Sequence, residues 1–138
     1  METDLEWKNV VVVGAGGALG ALARYGISLW ANTRFETPFP TGTFTINVSG
    51  SFAIGLIASL SMGFAWNEQA RLFITMGFLG AFTTFSTFEY ETLLLVMNGK
   101  RMGIALGYVA ASIIVGLGAV ALGFALGKTI AGSRMHAA

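Results

Sequence analysis

The chain has 138 residues, of which 54% are hydrophobic and 11% charged, and its formal net charge is +1. Soluble domains carry roughly 25% charged residues, so this deficit, with the long apolar runs, argues for a polytopic membrane protein. The near-neutral balance points to no nucleic-acid or acidic-polymer partner, and the lack of cysteine excludes a disulfide framework or a thiolate metal site.

About 20 apolar residues cross the hydrocarbon core of a bilayer. Four spans, at about residues 9–31, 42–66, 70–97 and 102–127, use the whole length and leave no room for a soluble domain. The expectation is an all-α membrane protein made of one four-helix transmembrane domain. The start, METDLEWK, is acidic and lacks the basic opening of a signal peptide, so the first span is expected to stay in the mature protein.

In span one, Val10–Val13 followed by Gly14, Gly16, Gly17 and Gly20 imitates a dinucleotide-binding turn. The spacing is G-x-G-G-x-x-G, not G-x-G-x-x-G, and no alternating strand–helix pattern follows. Small residues on a packed helix are the better reading. Gly16 and Gly20 sit four apart and Ala23 continues their face, so another helix can approach closely. Arg24 lies toward the end of this span. Its long stem can snorkel to the interface, or its charge can attract anions at a pore mouth.

Residues 32–41 are a connection, since Pro38 and Pro40 break helix and Arg34 and Glu36 belong in water. In span two, Thr43, Asn47 and Ser51 are spaced by four and form one polar stripe. The Asn47 amide carries donors and an acceptor that cannot stay unpaired in lipid. It acts either as glue between helices or as a donor facing an ion path. Asn47-Val48-Ser49 is also a glycosylation sequon, accidental at mid-membrane depth. Phe64 and Trp66 suit the membrane interface.

A short link at 67–71 makes spans two and three an antiparallel hairpin. Span three then does something unusual over residues 77–91, GFLGAFTTFSTFEYE. Gly77 and Gly80 loosen it, and Thr83, Thr84, Ser86 and Thr87 put hydroxyls into it. Phe82, Phe85 and Phe88 recur every three residues, which lines them along one helical face. Glu89 and Glu91 follow while apolar residues still lie ahead. In lipid, irregular backbone and polar groups persist only where protein or a water-filled path satisfies them. The stretch therefore predicts a broken transmembrane helix lining an ion path.

Asn98, Gly99, Lys100 and Arg101 make the next turn, and span four carries no charge. Gly103, Gly107 and Ala111 repeat by four, as do Ala119, Gly123 and Gly127, and both rows read as packing surfaces. Tyr108 and Ser112, also four apart, give one face hydroxyls. Residues 128–138 are expected to be a loose polar tail, with the one histidine, His136, in it and without a role.

Four spans place Lys8, Arg71, Lys128 and Arg134 on one side and Arg24, Arg34, Lys100 and Arg101 on the other. The Lys/Arg excess that orients membrane proteins is absent. Such a chain is expected to insert both ways, so that two copies pack as an antiparallel homodimer about an in-plane two-fold axis.

The motifs are familiar as a set. G-T-x-x-x-N-x-x-G at Gly42, Thr43, Asn47 and Gly50, G-F-L-G-x-x-T-T-F-S-T-F at Gly77–Phe88, and L-G-A-x-x-R at Leu19–Arg24 strongly resemble the Fluc/CrcB family of bacterial fluoride channels. The resemblance covers all four spans. It implies a passive, fluoride-selective channel in the bacterial inner membrane that exports fluoride and relieves its toxicity. It also implies a dual-topology homodimer with two pores and one central sodium ion. By this resemblance Asn47 lines the pore, and Phe85 and Phe88 flank fluoride. Gly80 and Thr83 hold the sodium through backbone carbonyls. Thr43, Tyr108 and Ser112 extend a hydroxyl track, and Glu91 matches an acidic position beyond the Phe pair. Some members carry a second serine one turn past Ser112, where this chain has Gly116.

Fluoride is small and tightly hydrated, so a pore must replace its water without gripping it. Neutral donors meet that requirement, among them an Asn amide, hydroxyls and the partly positive edges of Phe rings. The rival reading is a small dual-topology proton-coupled transporter using Glu89 and Glu91, because membrane carboxylates often carry protons. The four-span multidrug exporters of that kind depend on an acidic residue in the first span, and this first span has none. No nucleophile–base set, metal cluster or phosphate loop supports an enzyme.

Overall fold

In lipid a chain must satisfy its backbone polar groups within each spanning segment, and a helix does so. The computed structural model describes the backbone of residues 2–135 and the side chains of residues 6–132. Every element described is helical: α1 (Glu2–Arg34), α2 (Thr41–Gly63), α3 (Glu68–Leu72), a π-helical stretch at Phe73–Leu79, α4 (Gly80–Phe82), α5 (Phe85–Met97), a 3-10 turn at Gly99–Arg101, and α6 (Met102–Met135). Among the described residues four segments are long and apolar enough to cross a membrane, at Glu6–Arg34, Thr41–Gly63, Glu68–Met97 and Gly99–Gly132.

The helices meet through small residues. α2 and α6 form the most extensive pair. A β-carbon on Gly55 would collide with the Val120 carbonyl oxygen, and one on Gly123 with that of Phe52. α1 packs on the π-helical stretch in the same way, with Gly16 against the Phe73 carbonyl and Gly20 against that of Phe78. The other row on α6 finds no partner helix among the described residues. Nothing lies within 4 Å of a β-carbon built on Gly103 or Gly107. At 3.6 residues per turn the two rows sit ~160° apart around α6, and α2 covers the one that contains Gly123. Apolar side chains face outward as well, with Leu22, Ile114, Leu117 and Leu122 between 66% and 70% exposed. Two small clusters fill the inside, one around Ile46, Leu79 and Phe82 and one around Leu95, Ala105 and Tyr108.

Several boundaries move. α1 runs to Arg34, past the expected end at 31, and α2 ends at Gly63, before Phe64 and Trp66. The Asn67 side chain accepts from the Gln69 N–H at 2.7 Å and starts α3 inside what the sequence suggested was a link. The expected loose tail is helical as far as Met135, while His136 and the residues after it lie outside the described residues. Lys128 ends the uncharged run of α6, but nothing there stops a helix. Ala131 is buried, packed beside Gly63 at the end of α2.

The α2–α6 contact gives a direct test. Gly123→Ala should destabilise the protein by about 1–3 kcal/mol, as overpacking does. Gly14→Ala, at a position with nothing within 4 Å, should leave thermal unfolding in detergent unchanged or slightly raised.

Candidate ion pathway

Helical geometry gives way at two residues between α4 and α5. Thr83 has φ −78° and ψ 156°, and Thr84 has φ −150° and ψ 119°. Both are extended, a conformation that β-branched threonine accepts readily. In an unbroken helix the Thr84 N–H would bond the Gly80 carbonyl, and the Thr87 N–H that of Thr83. Neither donor goes there. The Thr84 N–H donates to Asn47 Oδ1 at 2.9 Å, and Asn47 Nδ2 donates back to the Thr84 carbonyl at 2.9 Å. The Thr87 N–H donates to Thr84 Oγ1 at 3.3 Å, which caps α5. The carbonyls of Gly80 and Thr83 are thereby released from their helical donors.

A cavity of about 480 Å³ opens at this gap. Asn47 and Ser51 of α2, Thr83 and Thr84, Phe85 and Phe88 of α5, and Ser112 of α6 face it, and none of its lining residues is charged. Ser112 Oγ is buried without a hydrogen-bond partner. The Phe85 and Phe88 rings lie 5.8 Å apart, with Phe85 largely exposed. The cavity also sits at the start of α5, where the first backbone N–H groups have no helical acceptor and favour negative charge.

Glu91 lies two turns along α5. Its Oε1 accepts from the Thr43 hydroxyl at 2.8 Å and its Oε2 from the Tyr108 hydroxyl at 2.8 Å. Both donors are buried, and neither lines the large cavity. The Phe88 ring bridges the two places, with its centroid 5.1 Å from that of Tyr108. On its far side Glu91 borders a second, polar cavity of about 270 Å³, shared with Asn32, Thr37, Thr41 and Arg101.

The structure thus gathers Asn47, Gly80, Thr83, Phe85, Phe88 and Ser112 around one cavity and Thr43, Tyr108 and Glu91 into one hydrogen-bonded group. Arg24 joins neither. It is half-buried on α1, ten residues and ~15 Å before the helix ends. Glu89 is exposed and also lines neither cavity. Sequence reasoning placed Ser51 on the polar stripe without giving it a role, and it gave Arg101 a place only in the turn and the charge balance. Spacing by four was the available signal for Ser51. Nothing local marks Arg101, which reaches the second cavity only because the α1–α2 connection folds back over α5.

Residues 11–124 match the family model described as "CrcB-like protein, Camphor Resistance (CrcB)". The chain belongs to this family. A protein of Acidobacterium capsulatum named fluoride-specific ion channel FluC is 50% identical over 123 residues, covering 86% of this chain and 94% of its own length. Proteins of the same name from Chloroflexus aurantiacus and Thermus thermophilus are 45% and 44% identical over 125 residues, each covering at least 90% of this chain and 98% of the relative. CrcB membership and four apolar helices make this a multi-pass membrane protein of a channel family, not an enzyme.

Removing the Asn47 amide leaves the Thr84 N–H and carbonyl without partners, at about 1–3 kcal/mol for each buried group. Asn47→Ala should lower thermal stability and speed hydrogen exchange at residues 83–85. Asn47→Asp keeps only the acceptor and should fall between Ala and the native residue in exchange rate.

Proposed function

We propose that this chain forms a fluoride-selective passive channel that exports fluoride across the bacterial inner membrane and relieves its toxicity. The observation that carries the reading is the cavity at the Thr83–Thr84 gap, which is lined by neutral donors and two Phe rings and by no charged side chain. A fixed cation ring would hold fluoride too firmly for release. An amide, hydroxyls and ring edges replace its water more weakly. The relatives named as fluoride-specific channels support the choice of ion.

The finer assembly follows from the same parts. With Arg24 set inside α1, Lys8, Arg71, Lys128 and Arg134 stand against Arg34, Lys100 and Arg101, and so small an excess supports insertion in both orientations and an antiparallel homodimer. Such a dimer has two equivalent pores. Span three is the broken helix of that assembly, with the Thr83–Thr84 gap at membrane depth. The donor set fits a sodium ion, because Gly80 and Thr83 offer carbonyl oxygens freed from helical donors. A second copy about the two-fold axis doubles that set. The ion supplies a positive charge that offsets anions nearby. Arg24, on the helix beside this region, adds to the local attraction for anions.

Efflux from liposomes loaded with fluoride or chloride tests the function. The native protein should release fluoride without a pH gradient and retain chloride, and Phe85→Ile should abolish or sharply cut the flux. Comparable chloride release, or a Phe85 variant that conducts normally, would remove the reading. Flux that requires a pH gradient would favour a proton-coupled carrier.

A further inference from the structure

Hydroxyls within helices commonly satisfy themselves on the carbonyl four residues back. Ser49 does so on Thr45, Ser61 on Ile57 and Thr92 on Phe88, at 2.7 to 2.8 Å. Ser51 and Ser112 make no such bond, and both line the cavity at the gap. Ser51 stands on α2 one turn beyond Asn47, and Ser112 stands on the facing α6. One turn past Ser112 on α6 comes Gly116, which brings no side chain. The nearest atom to a β-carbon built there is Ser51 Oγ, at 3.8 Å. The level that α6 leaves bare is therefore reached by the α2 hydroxyl.

We infer that Ser51 is a further anion-contacting donor of the pathway, carrying the polar lining beyond Ser112 from α2 where α6 offers only Gly116. The inference rests on the channel reading above and names one more residue of the same cavity. Three neutral donors, Asn47, Ser51 and Ser112, then face the ion from two helices. A hydroxyl free of its own helix can turn its O–H to an anion without first breaking an internal bond. A donor at this level lets an anion leave the Asn47 and Ser112 pair without meeting a purely apolar wall. The geometry also allows the hydroxyl to move from one helix to the other. A β-carbon on Gly116 makes ordinary contact with Ser51, so a serine there fits once Ser51 is shortened.

The experiment is fluoride efflux from liposomes for the native protein, Ser51→Ala, and the Ser51→Ala/Gly116→Ser double variant, each checked for a single species by size-exclusion chromatography. Ser51→Ala should slow fluoride release about tenfold, in line with the loss of one hydrogen bond to a charged ligand. The double variant should recover most of the rate. Native release with an unaffected Ser51→Ala variant would overturn the role of Ser51 and leave the channel reading standing. A slow single variant that Gly116→Ser fails to restore would also overturn it, because Ser51 would then act through packing. No fluoride release by the native protein would sink the channel reading itself. Should Ser51→Ala fail to give a single species, Ser51→Cys keeps the size and weakens the donor, and its rate is read in the same way.

Discussion

Two hydrogen bonds between one side-chain amide and one peptide hold the centre of this molecule open. Asn47 of α2 accepts from the Thr84 N–H and donates to the Thr84 carbonyl. A lipid-embedded backbone cannot leave helical geometry unless something replaces the bonds it gives up. Asn47 replaces them on one side of the gap and the Thr84 hydroxyl on the other. The freed carbonyls of Gly80 and Thr83, the start of α5 and the cavity between α2, α5 and α6 all follow from that exchange. Gly50, three residues beyond Asn47 on α2, lets Thr83 and Phe82 come close, since a β-carbon there would collide with the Thr83 side chain.

The two cavities differ in chemistry, and the Phe88 and Tyr108 rings lie between them. The large cavity has only neutral donors and Phe rings, whereas the smaller one has Glu91 and Arg101. Between them Phe88 packs at a tilt against Tyr108, whose hydroxyl is committed to Glu91. Thr43 is committed to the same carboxylate. The hydroxyls of Thr43 and Tyr108 therefore hold Glu91 at the border of the smaller cavity, while Ser51, Ser112 and the second Nδ2 hydrogen of Asn47 carry no such commitment in the larger one. Charged side chains line the smaller cavity and none lines the larger.

Much of this was legible in the sequence because lipid makes patterns explicit. Apolar runs gave the four spans, and the Gly16–Gly20 and Gly123–Gly127 spacings gave two helix contacts that form. The hydroxyl-rich, Phe-periodic residues 77–91 drew attention to the right part of the third span. The particular residues that leave helical geometry were not readable there, because the partner that takes Thr84's bonds sits 37 positions away on another helix. Periodicity likewise could not say which small row of α6 faces α2; it is the row with Gly123, and Gly103 and Gly107 meet nothing among the described residues. Polarity after residue 127 marks only the end of the apolar stretch, and α6 continues as helix to Met135. The division of hydroxyls between Glu91 and the cavity needed side-chain geometry, since Thr43, Asn47 and Ser51 look alike as a stripe.

The central physical idea is that a halide crosses lipid along uncharged donors, down its own gradient and without a proton partner. Reversal potentials in planar bilayers address it most directly. With opposed fluoride and pH gradients, the current should reverse at the fluoride equilibrium potential, ignore the pH difference and vanish when chloride replaces fluoride. A reversal potential that moves with the pH gradient, or an equal current carried by chloride, would contradict it.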